Sequence, residues 1–213
     1  MQITEEIILL CLEELQKQIK DKKIYKDYYD GEHEILNNYD MQDSRSNQKL
    51  VFNFPRKFVD NETGYLLGKP VNYISKSDND KIIKCIDANT SCWEKEHNIT
   101  LRKYSEIFGE SYELNYIDKN GEFSSTVLTP MNAYVLDDGT AERNVTLAIH
   151  KFSKAFEDNE YLDVYTDDMI YHYHLDEGKL GYLGEHPHLF ERVPVIVCSA
   201  NTETKSGFYD IIS

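Results

Sequence analysis

Apolar residues change their spacing once along this chain, at Ser111, and that change limits the folds open to it. Before it they recur every three or four positions, as on one face of a helix: Ile8, Leu12, Leu15 and Ile19, then Phe58, Val59, Tyr65 and Leu66, then Leu101, Tyr104, Ile107 and Phe108. After it Tyr112, Leu114 and Tyr116 alternate with polar neighbours, as on a half-buried strand. Helices first and an antiparallel meander second make an α+β fold: N-terminal helices followed by an antiparallel β-rich region.

Local signals place the elements. Thr4-Glu5-Glu6 is an N-cap with acids in the first turn, and a second, tyrosine-rich helical stretch over Lys22 to Asp30 closes on Gly31. Asn37 to Lys49 is polar and is expected to be a loop. Asn53-Phe54-Pro55 opens a third helix, which stops at Gly68 with Pro70 just beyond, and Val71 to Ser75 is expected to be a strand. Helices follow over Asp80 to Ala88, with Ile82, Ile83 and Ile86 inward, and over Trp93 to Phe108. Asp118-Lys119-Asn120-Gly121 is a hairpin turn. Strands are expected near Ser125 to Leu128, Ala133 to Leu136, Val145 to Phe152, Tyr161 to Thr166 and Met169 to Leu175, with a turn at Asp176-Glu177-Gly178. With no repeat and no Pro/Gly/Ser-rich linker, residues 1–213 are expected to be one domain. The last residues, Gly207 to Ser213, have the pattern of a helix just opening.

Charge excludes one class of partner grip. Acidic residues number 38 against 23 basic ones, a formal charge of −15, whereas general DNA affinity comes from Lys and Arg neutralising phosphates. No apolar run approaches the roughly 20 residues of a membrane span. The scattered Cys11, Cys85, Cys92 and Cys198 contain no C-x-x-C pair and match a reducing compartment.

The candidates for chemistry are few. Gly64-Tyr65-Leu66-Leu67-Gly68-Lys69 has three residues between its glycines and Pro70 after the lysine, whereas a phosphate loop needs four and then Ser or Thr. His172 and His174 share one side of a strand and His186-Pro187-His188 follows, which is the raw material of a metal site. Asp137-Asp138 and Asp167-Asp168 are conceivable metal-binding acids, so a metal-dependent phosphodiesterase or nuclease using His172, His174 and the paired aspartates is the alternative reading. Adjacent aspartates on extended chain face opposite ways, however, and acids at turns are ordinary. The residue pattern calls for no cofactor, no metal and no catalysis.

Four segments, in order, carry a resemblance. They are Tyr28-Tyr29-Asp30-Gly31-Glu32-His33-Glu34-Ile35-Leu36; the block from Asn53 through Asp60, Gly64, Tyr65, Gly68, Lys69 and Pro70 to Val71; Gly109 to Leu114 with Thr129-Pro130-Met131-Asn132; and Val193-Pro194-Val195-Ile196 with Asn201 and Gly207 to Ser213. Together they resemble the N-terminal wing region of the tailed-phage (siphophage-type) portal protein family. The resemblance implies a structural protein of the virion, made in the cytoplasm of a bacterial host, with Tyr29, Gly31, His33, Asn53, Asp60, Gly64, Tyr65, Gly68, Lys69, Pro70, Pro130 and Pro194 shaping the wing rather than doing chemistry. It implies a homo-oligomeric ring, usually dodecameric, that passes double-stranded DNA and docks terminase, capsid and neck proteins. The chain would end before the stem helix. Ring closure needs a heterologous contact, for which the tyrosines Tyr161, Tyr165, Tyr171 and Tyr173 are the expected exposed contributors.

Overall fold

The computed structural model of the protein describes residues 4–36, 50–176 and 178–212. The expected loop over Asn37 to Lys49 and the middle of the expected turn at Glu177 lie outside the described residues. Helices α1 (Glu5–Asp30), α2 (Phe54–Leu67), α3 (Asp80–Thr90) and α4 (Glu94–Phe108) precede strands β1 (Glu110–Ile117), β2 (Phe123–Leu128), β3 (Ala133–Asp137), β4 (Val145–Ser153), β5 (Glu160–Tyr165), β6 (Met169–Asp176), β7 (Lys179–Pro187) and β8 (Val195–Ser199), and a short α5 (Tyr209–Ile212) closes the described chain. The α+β organisation is as expected.

The two expected N-terminal helices are one. The charged stretch Lys20 to Lys23 interrupts the apolar stripe but contains no residue that breaks a helix, so α1 runs about 39 Å to Gly31. Gly31 is left-handed, with φ of 90°, and its amide and that of Glu32 close the last turn on Tyr28 and Asp27. Thr4 holds the N-cap position through its backbone carbonyl, its side chain making no cap bond. The expected strand at Val71 to Ser75 is absent among the described residues: with no neighbouring edge to satisfy its backbone, the segment is exposed and irregular.

The strands divide into two antiparallel sheets, ordered β2-β1-β8 and β3-β4-β5-β6-β7. One face of the larger sheet packs on α1, where Ile8, Cys11, Leu12 and Leu15 meet Leu147, Ile149, Leu162 and Val164. Its other face meets the smaller sheet through Tyr112, Leu114, Leu128, Ala148, Tyr165 and Val195. Alternation along each strand makes this two-sided burial possible. One extra residue in β4 breaks it: Leu136 pairs with Leu147 but Asp137 with Val145, a bulge that turns Val145 to the smaller sheet.

A third core joins α1, α2 and α4 around Tyr29, Val59, Ile107, Phe108 and Phe208. A seam runs beside it. Gly109, at φ of 88°, lets residues 200–207 lie across the end of α4: Ala200 N–H donates to Gly109 O at 2.8 Å and Gly207 N–H to Glu106 O at 2.8 Å. Lys22 Nζ stitches the seam by donating to the carbonyls of Phe108 (2.6 Å) and Thr204 (2.9 Å), and burial lowers its pKa.

Helix α3 corrects the expectation of an inward face. None of its described residues is buried, and Ile82 is 55% exposed. Its amphipathic pattern is real, but it packs mainly on β2, which leaves Ile83 and Ile86 half-buried and Ile82 exposed.

Candidate interaction surface

The first two segments singled out by the sequence meet at the junction of α1 and α2. Asn53 clamps both helices. Its Oδ1 accepts from Arg56 N–H at 3.0 Å, capping α2, while its Nδ2 donates to Tyr29 O at 2.9 Å in the last turn of α1. Gly31 eases the approach, because a Cβ there would stand 3.3 Å from Asn53 Nδ2, tight enough to push the amide back by a few tenths of an ångström. Tyr29 is buried, its hydroxyl donates to Asp60 Oδ1 at 3.1 Å, and the cations of Arg56 and Lys103 lie over its ring at 5.7 and 5.1 Å. Arg56 also faces Asp60 at 3.8 Å across one turn of α2. His33 packs its ring on Tyr28 at 4.7 Å.

The rest of the α2 block turns outward. Gly64, Tyr65, Gly68, Lys69 and Pro70 are all exposed, and Gly68 ends the helix in an ordinary right-handed conformation rather than the left-handed one that would require glycine. Pro130 is fully buried and Gln18 Nε2 donates to its carbonyl at 2.9 Å, which ties α1 to the start of β3. Pro194 O accepts from Asn115 N–H at 2.8 Å, extending the pairing of β1 with the segment entering β8.

The four tyrosines expected at a subunit contact are engaged within the chain. Tyr165 is a correction: it is buried between the two sheets, and burial, then the charge of Asp163, raises its pKa. Tyr171 and Tyr173 pack partly against the α1 core. Tyr161 stacks on Phe152 at 5.7 Å and under Lys154 at 4.1 Å.

The histidines assemble differently from the H-x-H expectation. Asp163 on β5 lies opposite His172 on β6, which lies opposite Gly184 on β7. The bulge beside that pair brings His186 alongside, giving a relay: Asp163 Oδ1 to His172 Nδ1 at 2.6 Å and His172 Nε2 to His186 Nδ1 at 2.9 Å. A carboxylate only accepts, so His172 Nδ1 carries a proton and a single proton lies between the two rings. His174 is elsewhere, its ring over Gly181, and His188 Nε2 donates to Thr166 O at 2.9 Å. The aspartate doublets sit where strands meet turns: Asp137, the last residue of β3, and Asp138 accept from the amides of Gly139 and Thr140, and Asp168 accepts from Thr166 Oγ1. Among the described residues, no group of three or more His, Cys, Asp or Glu is placed to hold a metal ion. The relay therefore reads as a satisfied polar cluster on a sheet face. Sequence reasoning named His172 and His186 but missed Asp163 and the pairing itself, because their meeting depends on strand register.

Among the described residues, no helix is long and apolar enough to cross a membrane. Residues 9–213 match the family described as phage portal protein, SPP1 Gp6-like. The chain is also 25% identical over 203 residues to the portal protein of Bacillus phage SPP1, a match covering 87% of this chain and 39% of that relative.

Proposed function

We propose a function from one premise: this chain belongs to the phage portal protein family of the SPP1 Gp6-like type. The role is structural. The protein is a component of a homo-oligomeric ring at the capsid vertex through which double-stranded DNA is packaged and ejected, and it is carried in the virion. Terminase, capsid and neck proteins dock on that ring.

The match over residues 9–213 carries this reading. It agrees with what the segments that carry the resemblance do, since Tyr29, Gly31, Asn53 and Asp60 hold α1 and α2 together. The formal charge of −15 agrees with a conduit past which DNA slides, because phosphate contacts by Lys and Arg would act as brakes. Residues 1–213 are read as a single wing-like domain. The chain spans about two fifths of the length of the SPP1 relative, so docking and DNA passage are proposed for the whole protein rather than for these residues alone.

Electron microscopy of the protein in the length its gene encodes, at moderate salt, is the test. Rings with a central hole wide enough for duplex DNA are expected. Compact monomers or dimers at every salt and protein concentration would refute the assignment.

A further inference from the structure

Two of the apolar features left on the surface of the described residues lie on the helical side of the molecule. The first is convex. Helix α2 turns Pro55, Val59 and Thr63 inward, at i, i+4 and i+8, and this leaves Phe54, Phe58 and Tyr65 along an outer stripe. Phe54 and Phe58 are 51% and 47% exposed, Tyr65 is 87% exposed, and Phe52 just before the helix is 67% exposed. Ring centroids 6.1 Å apart for Phe52 and Phe54, and 6.4 Å for Phe54 and Phe58, make the start of the stripe one continuous ridge. The second feature is a shallow, open depression. It is a groove of about 610 Å³ between α3 and β2, lined by Ile82, Cys85, Ile86 and Phe123 with Lys81 and polar amides at its edge.

Resting on the ring reading above, we infer that the α2 ridge of one copy seats in the α3 groove of its neighbour. A ring is closed by a heterologous contact, in which one patch meets a different patch of an identical chain, and this chain carries an aromatic ridge on α2 and, apart from it, an apolar groove beside α3. The ridge is large enough to anchor a contact: four aromatic side chains exposed to this degree present roughly 500 Å², against the ~800 Å² that each partner contributes to a standard stable interface. Charge points the same way. Copies with a formal charge of −15 repel one another, yet no carboxylate lines the groove and its one charged lining residue is Lys81. Glu62, exposed one turn from Phe58, is the ridge's natural counterpart to that lysine.

The cysteine in the groove supplies the experiment. Cys85 and Cys92 are exposed, Cys198 is half-buried and Cys11 is buried. In the gene-length protein carrying Cys92→Ser, Cys198→Ser and Phe58→Cys, mild oxidation of assembled rings is expected to produce a ladder of disulfide-linked multimers that Cys85→Ser abolishes. Phe54→Glu and Ile82→Glu change exposed positions, so each is expected to shift rings to monomers with an unchanged circular dichroism spectrum and melting temperature. Rings that form normally in both glutamate variants and yield no ladder would overturn this interface while leaving the ring reading intact. A cross-link confined to the monomer band would also overturn it, by assigning the ridge to its own chain. Absence of rings from the unmutated protein would defeat the ring reading itself.

Discussion

Gly109→Ala tests whether the seam between α4 and residues 200–207 depends on a missing side chain. Two costs arise at this position. A φ of 88° puts an alanine in the left-handed region, at about 1–2 kcal/mol. In addition, its Cβ would stand 2.7 Å from the carbonyl carbon of Lys205 and closer still to the carbonyl of Thr204, both backbone atoms with no flexible end to swing away. Relieving that overlap adds about 1–3 kcal/mol, the ordinary cost of overpacking, and also strains the bonds from Lys22 to Phe108 and Thr204. A destabilisation of about 3 kcal/mol lowers the melting temperature of a chain this size by roughly 6–12 °C. Gly121→Ala is the matched control: its φ is 81° but nothing lies within 4 Å of the added Cβ, so it bears the conformational cost alone, about 1–2 kcal/mol. Urea and thermal unfolding followed by circular dichroism measure both. If Gly109→Ala is no more destabilising than Gly121→Ala, the segment yields to the methyl group and the argument from close approach is wrong.

Glu113 accepts from His97 Nε2 at 3.0 Å and from Ser125 Oγ at 3.2 Å. The bond from His97 above all, opposed by burial and aided by the charge of His97 and the bond from Ser125, holds its carboxyl below the ordinary glutamate range. A depressed carboxylate contributes stability above its unfolded value and loses it as the pH falls through the folded one. Glu113→Gln is therefore expected to cost about 1–3 kcal/mol at pH 7, with the two unfolding curves converging below pH 4.5, and a constant gap across that window would refute the assignment. The phosphodiesterase alternative makes the opposite demand on His172. The purified chain is expected to leave duplex and single-stranded DNA uncut with magnesium, manganese or zinc, and metal-dependent cleavage that disappears in His172→Gln would establish the enzyme reading instead.

Much of the local structure was legible before any coordinates. The switch of spacing at Ser111 announced helices and then strands, Gly31 marked where α1 stops, Asn53 marked where α2 starts, and Asp118 accepts from the amides of Asn120 and Glu122 in the turn that the sequence names. These features depend on the backbone's own period and on side chains bonding to amides two to four residues away. The outward block of α2 and the clamp at Asn53 share one contiguous motif, but their division into junction and surface was not readable from it.

What only the tertiary structure decided is which elements meet. The strands after Ser111 read as one meander, yet β1 takes β8 as a partner, bringing Leu114 opposite Val195 across most of the β region, and the remaining five strands close a separate sheet. Strand β7, interrupted by Gly181 and Gly184, shows too little alternation to be seen alone, and its register sets His186 beside His172. The isoleucines of α3 have the spacing of a buried face, yet among the described residues Ile82 is exposed and Ile83 and Ile86 are only half-buried. Spacing along a chain reports which face of an element is apolar, because each backbone has a fixed period. It does not report what covers that face, since pairing is settled by competition among distant surfaces for the same burial.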